Sequence, residues 1–180
     1  TKYGFQFKYP KEGQVASGGN DNHTRISLPF TAGTNLVEKY VDVDVVENAS
    51  TCRSPLAATS MVQTSETVVI NGISFLKETA SDGAAGQTYK WTAYSAQRGT
   101  ACISMSFMLH SVSAGNYDPP LPVFNEAAES SVFTNMMANF AYLPLSDWLT
   151  YANTKYGFQF KYPKDAQVAD GAMDNHVRIN

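Results

Sequence analysis

Two stretches of this chain are copies of one another. Thr1–Ser27 aligns without a gap on Thr154–Asn180, and 20 of the 27 positions are identical. The offset is 153 residues, and the first 11 positions agree without a break. The seven differences, among them Glu12/Asp165, Gly13/Ala166, Ser17/Asp170 and Thr24/Val177, are scattered over the rest of the segment. Duplicated, slowly diverging units look like this, whereas a cloning artefact would not diverge.

A period of 153 residues is far longer than the roughly 20–50 residues of solenoid and propeller repeats. Each unit is therefore expected to be a domain with its own core, because at about 150 residues roughly 68–70% of the unfolded surface is hidden on folding. Neighbouring units are then not needed for folding, as they are in a solenoid. On this reading residues 1–142 are one nearly complete repeat, 143–147 a linker, and 148–180 the start of the next. Trp148–Ala152 reads as the first strand of that next unit, with Pro144, Trp148, Leu149 and Tyr151 at the junction. The WLTYAN segment, Trp148–Asn153, has no counterpart ahead of Thr1. The first repeat is expected to receive that strand from upstream in a longer chain or from another subunit in trans. An opening at Thr1, with neither Met nor a signal peptide, fits a mature or excised piece.

Charge is sparse, at 16% of residues against 43% hydrophobic, and Ser, Thr, Asn, Ala and Gln fill the surface instead, as suits a secreted protein. A net charge of −3 with scattered lysines offers no basic field to a phosphate backbone, so nucleic acid is not an expected partner. No apolar run reaches the roughly 18 residues of a membrane span, and none is expected in this segment.

The two cysteines, Cys52 and Cys102, are too far apart for a CxxC pattern and read as a disulfide; the other reading is a pair of buried free thiols. A bridge closing that loop contributes on the order of 4 kcal/mol in the chain-entropy picture. Asn22-His23-Thr24 and Asn48-Ala49-Ser50 both fit the N-glycosylation acceptor pattern, which also points outside the cell. The second copy reads Asn175-His176-Val177 and has lost the acceptor, so a glycan at Asn22 would vary between repeats.

Hydrophobic periodicity predicts the elements. Tyr3 to Tyr9 alternates with Tyr3, Phe5, Phe7 and Tyr9 on one face, and Arg25 to Phe30 forms a second strand. Val37 to Val46 places Val41, Val43 and Val45 on one face and Tyr40, Asp42 and Asp44 on a wet one. A short helix is placed near Pro55–Ser60, followed by strands at Val68–Lys77, Gln87–Ser95 and Ala101–His110. Turns fall at 81–86 and 97–100, and Asn71-Gly72 is either a hairpin turn or a bulge. From Val123 to Phe140 the period becomes helical, with Phe124, Ala128, Phe133, Met136, Met137 and Phe140 in one stripe. One long C-terminal helix on a largely antiparallel sheet is the α+β class.

YGFQFKYP at Tyr3–Pro10 resembles the opening of PsbP-like domains, a sandwich family of photosystem accessory proteins and bacterial lipoproteins. VVINGISF (Val68–Phe75), ACISMSFMLHS (Ala101–Ser111) and VFNEAAESSVF (Val123–Phe133) look like the later strands and final helix of its secreted bacterial members. The resemblance covers most of one repeat and implies a non-enzymatic binding or scaffolding domain. The chain departs from the family after Pro10, where members often carry a Trp and this sequence has Lys11-Glu12-Gly13-Gln14.

Motifs of chemistry are missing: there is no GxSxG elbow, HExxH, Walker loop, GxGxxG or EF-hand spacing. His23, His110 and His176 are the three imidazoles, and His176 is the repeat partner of His23. They read as structural or surface groups, and no catalytic residue is assigned. Asp42, Asp44 and Glu47 could approach a calcium ion, against the plainer reading of a solvated strand face. Asp21-Asn22 and Asp174-Asn175 recur as turn residues, with a junction ion as the sharper alternative. Tyr89 and Trp91 share one strand face and read as core rather than as a sugar platform, with Tyr94 on the same strand.

The expectation is a non-catalytic structural repeat of an extracellular filament or surface adhesin, joined by tandem linkage or strand donation, whose partners are copies of itself. A ligand- or glycan-binding surface module is the alternative. No cofactor is expected beyond the side possibility of structural calcium.

Overall fold

Long alternating strands account for most of the chain. The computed structural model describes residues 3–16, 22–143, 148–153, 156–163, 166, 168–170 and 177–179. They form two compact units, Lys8–Asn139 and a second made of Thr1–Phe7 with Phe140–Asn180.

The Lys8–Asn139 unit holds β2 (Gln14–Val15), β3 (His23–Ser27), β4 (Leu36–Val46), β5 (Thr64–Ile70), β6 (Ile73–Ala84), β7 (Gln87–Arg98), β8 (Ala101–Val112) and α1 (Glu126–Ala138). Its strands make one antiparallel sheet in the order β2-β3-β4-β8-β7-β6-β5. β5 to β8 form a meander, and β8 then pairs with β4, from Val46↔Cys102 to Leu36↔Ser111. The turn between β5 and β6 settles the Asn71-Gly72 alternative as a hairpin: φ is 52° at Asn71 and 77° at Gly72, the two positive values that a two-residue primed turn requires.

Both sheet faces are covered. Val41, Val43, Val45, Ile103, Met105 and Phe107 share one face and are buried. Over them lies α1, whose Phe133 stacks on Phe107 with ring centres 5.1 Å apart. On the opposite face Ala80, Trp91, Ala93 and Met108 cluster with Tyr40, Leu56, Ala57 and Val62. A short 3-10 helix, Pro55–Ala58, caps that cluster, its Leu56 amide donating to the Ser54 side chain. Asn35 clips the approach to α1 onto β8: its Nδ2 donates to Val112 O at 2.7 Å and its Oδ1 accepts from Phe124 N at 3.0 Å.

The second unit contains three two-stranded antiparallel pairs: β1 (Phe5–Gln6) with β9 (Ala141–Tyr142), β10 (Trp148–Asn153) with β11 (Phe158–Pro163), and β12 (Val168–Asp170) with β13 (Val177–Ile179).

The structure corrects the expected fold class. Among the described residues strand makes up 51% and helix 13%, with one helix of seven or more residues, so this is a mostly antiparallel β protein and not α+β with a sheet packed by one long C-terminal helix. The helix is shorter than the Val123–Phe140 stripe because Asn125 caps it, its side chain accepting from Ala128 N at 3.1 Å, and because it ends at Asn139. The strands are longer than expected because the predicted turn at 81–86 narrows to Ala85-Gly86, both at positive φ. The opening strand, in contrast, shrinks from Tyr3–Tyr9 to the two residues of β1.

Candidate functional site

The duplicated segment is built the same way twice. In the first copy Val15 pairs with Ile26 across β2 and β3; in the second, Val168 pairs with Ile179 across β12 and β13. Adding the repeat offset of 153 to the first pair gives the second, so sequence and strand register agree. Gly4 and Gly157 both sit at positive φ, 62° and 68°, a conformation open to glycine at little cost. The phenylalanines that follow stack alike, Phe5 on Phe7 at 6.4 Å and Phe158 on Phe160 at 6.3 Å.

What differs is the strand partner. Phe5 of β1 lies opposite Tyr142 of β9 and stacks on the fully buried Phe140 at 5.6 Å. Phe158, its counterpart, lies opposite Asn153 of β10 and is 44% exposed. Of the predicted junction residues, Trp148, Leu149 and Tyr151 all fall in β10, where Tyr151 stacks on Phe160 at 5.1 Å and Leu149 is exposed. Pro144 lies outside the described residues.

A charged patch marks the β3 and β4 strands on the face away from α1. Arg25 grips Asp42 with two hydrogen bonds of 2.7 and 2.8 Å and lies 3.7 Å above the Tyr40 ring. The hydrogen bond and charge of Asp42 hold the Arg25 guanidinium above its ordinary value despite burial, and burial raises the Tyr40 phenol. His23 Nδ1 meets Asp44 Oδ1 at 2.7 Å. That is the His–carboxylate half of a hydrolase triad, yet Nε2 faces Asp42 Oδ1 at 3.9 Å rather than a hydroxyl. Asp42 and Asp44 share a face as expected, but that face is not wet: Asp42 is buried and both carboxylates are committed to basic partners. Among the described residues no group of three or more His, Cys, Asp or Glu is placed to hold a metal. Asp21, Asp174 and Asn175 fall outside those residues.

Further along the same face Glu78 is fully buried, accepting from Arg53 Nε at 2.9 Å and from its terminal nitrogen. Its carboxylate raises the Arg53 guanidinium. Arg53 follows Cys52, which is bonded to Cys102 with Cα atoms 5.0 Å apart. Ser54 and Ser106 (2.8 Å) and Ser95 and Ser104 (3.1 Å) join hydroxyls beside it. His110 is clasped by Glu38 at 2.9 Å and Gln87 at 2.6 Å, and Tyr89 stacks on it at 4.2 Å. Trp91 is core, packed with Leu56 and Ala57 of the short 3-10 helix, and its indole N–H is buried without a partner among the described residues. Tyr94 points the other way, against Phe133. Asn22 and Asn48 are both exposed, Asn48 at positive φ in a turn.

On the α1 side a polar cleft of about 270 Å³ is lined by Gln63, Thr79, Ser81, Lys90, Glu126 and Ser130 among others. The Lys90–Glu126 ion pair, at 2.6 Å, is part of its lining. Sequence reasoning missed this cleft and the Glu78–Arg53 and Lys39–Glu129 pairs, since periodicity gives a residue's face but not its partner across it.

The sequence matches no protein-family model and no curated protein. Among solved structures, the chain is similar to a crystal structure from Bacteroides thetaiotaomicron VPI-5482, determined at 1.50 Å, with a TM-score of 0.52 and 13% identity. The match covers 82% of this chain and 48% of that one, so this chain spans about half the length of that structure. At that identity the likeness is one of fold.

Proposed function

We propose that this chain is a non-catalytic module of a tandemly repeated extracellular protein, a surface filament or adhesin whose partners are further copies of the module. The observation that carries the reading is the recurrence of one register, Val15↔Ile26 and Val168↔Ile179, at the spacing of the sequence repeat. The buried disulfide partner Cys102 and the exposed acceptors Asn22 and Asn48 support an oxidising, glycosylating setting. Repetition of a self-sufficient β domain supplies length and, where each unit carries a binding surface, avidity. The polar cleft beside Lys90 and Glu126 favours a second reading, in which each module presents a small polar ligand or glycan site.

The test is the mass of the native polypeptide on a denaturing, reducing gel before and after deglycosylation. A product several times 19.6 kDa is expected. A deglycosylated product near 19.6 kDa, too small for a second whole unit, would overturn the tandem reading.

A further inference from the structure

A β-strand has two hydrogen-bonding edges, and the two copies of the duplicated strand use opposite ones. In the first copy Leu143 N donates to Gly4 O at 2.7 Å. Gly4 and, two residues on, Gln6 therefore turn their main-chain groups toward β9, as the pairing Gln6↔Ala141 continues. In the second copy Trp148 lies opposite Pro163. Proline has no N–H, so that position suits the non-hydrogen-bonded class of antiparallel pair. The classes alternate, which makes Leu149/Tyr162, Tyr151/Phe160 and Asn153/Phe158 the hydrogen-bonded pairs. Phe158, Phe160 and Tyr162 thus turn their main-chain groups toward β10, and Gln159 and Lys161 turn theirs away. Gln159 is the repeat counterpart of Gln6. The β11 edge facing away from β10 is the edge with which β1 holds β9, and among the described residues the β10–β11 sheet has two strands.

The geometry points to strand exchange between copies of this chain: the β10–β11 ribbon of one copy docks through the Gln159 edge of β11 onto β9 of a second copy, in the place of β1. This deepens the repeat-module reading and rests on it for the equivalence of the two strands. Gly157 to Pro163 is identical to Gly4 to Pro10, so the incoming strand offers β9 the same main-chain groups and side chains as the outgoing one. Phe158, 44% exposed in the ribbon, takes the seat of Phe5 on Phe140. β11 arrives as six residues already paired to β10, and preorganisation lowers the ordering cost of docking. The contact is head-to-tail, since ribbon and β9 are different surfaces, and such contacts propagate into open chains rather than closed dimers.

Two substitutions with opposite expected signs test the exchange. Gln159→Pro removes the N–H aimed at β9 and leaves the β10 ladder intact, because that amide points away from β10. Gln6→Pro weakens the strand that competes for β9. Light scattering coupled to size exclusion, on the full chain over a hundredfold concentration range, is expected to show a rising ladder of multiples of 19.6 kDa. Gln159→Pro should raise the apparent dissociation constant by about tenfold, the equivalent of one main-chain hydrogen bond, and Gln6→Pro should lower it. Near-ultraviolet circular dichroism checks that each variant keeps its aromatic packing. A wild-type chain that stays monomeric, or a folded Gln159→Pro variant that assembles as well as wild type, overturns the exchange. Should the native polypeptide prove many units long while this chain stays monomeric, the exchange fails and the module reading stands. Gln159-dependent assembly of this chain alongside a native product near 19.6 kDa would uphold the exchange and overturn the tandem reading.

Discussion

Lys39 of β4 and Glu129 of α1 form an ion pair whose two side chains are each 6% exposed. It lies on the face that carries Val41 and Phe107, so α1 is fastened to the sheet by a buried charge pair as well as by Phe133, Met136 and Met137. Glu129 also accepts from Thr31 N at 2.9 Å and Thr31 Oγ1 at 2.7 Å. Burial pushes the Glu129 carboxyl up, and the hydrogen bonds from Lys39 and Thr31 outweigh that, leaving it below its ordinary value.

Removing one partner strands the other charge in the interior. Lys39→Met is expected to cost about 3–5 kcal/mol of unfolding free energy, whereas Lys39→Met with Glu129→Leu should recover most of the loss, since a packed apolar pair replaces buried ions at little net cost. Urea denaturation of the two variants measures the difference.

The same pair sets an acid limit. A carboxyl whose folded-state value is depressed contributes stability that is fully present above its unfolded value and is lost as pH falls through the folded one. The ordinary value is 4.5, so stability should fall below about that pH. In Glu129→Gln the slope of stability against pH over this acid range should be shallower, as read from thermal midpoints.

Cys52 and Cys102 close a loop with a sequence separation of 50. Replacing both with alanine is expected to lower stability by about 4 kcal/mol. The cost arises in the unfolded chain, so equilibrium unfolding should show it while the far-ultraviolet spectrum of the folded state stays the same.

Gly72 holds φ at 77° with nothing within 4 Å of where a Cβ would stand. Gly72→Ala should therefore cost about 1–2 kcal/mol through backbone strain alone. A loss well outside that range would mean that the β5–β6 turn makes other contacts.

Much of the sheet was legible and much of its arrangement was not. Alternation placed Val41, Val43 and Val45 on one face, and parity puts Lys39 there too, but nothing local names a partner 90 residues away on α1. Asp42 and Asp44 read as solvated because alternation shows their charge but not that Arg25 and His23 stand opposite them on β3. The helix was overdrawn because an apolar stripe continues through Phe140, whereas the end of a helix is decided by its caps, here Asn125 and Asn139. The pairing of β4 with β8 is a long-range closure that no periodicity encodes. The repeat, in contrast, could be read outright, because identity at a fixed offset needs no knowledge of the fold.

The most direct test of the claim that the two copies are one module is nuclear magnetic resonance of the labelled chain. Ala16 N donates to Arg25 O, which makes Val15/Ile26 a non-hydrogen-bonded pair, the class with the closer approach, Cα atoms about 4.5 Å apart. The account predicts a cross-strand Hα–Hα contact between Val15 and Ile26 and a matching one between Val168 and Ile179. A second contact shifted by a residue, or found between Val168 and a different strand, would contradict it.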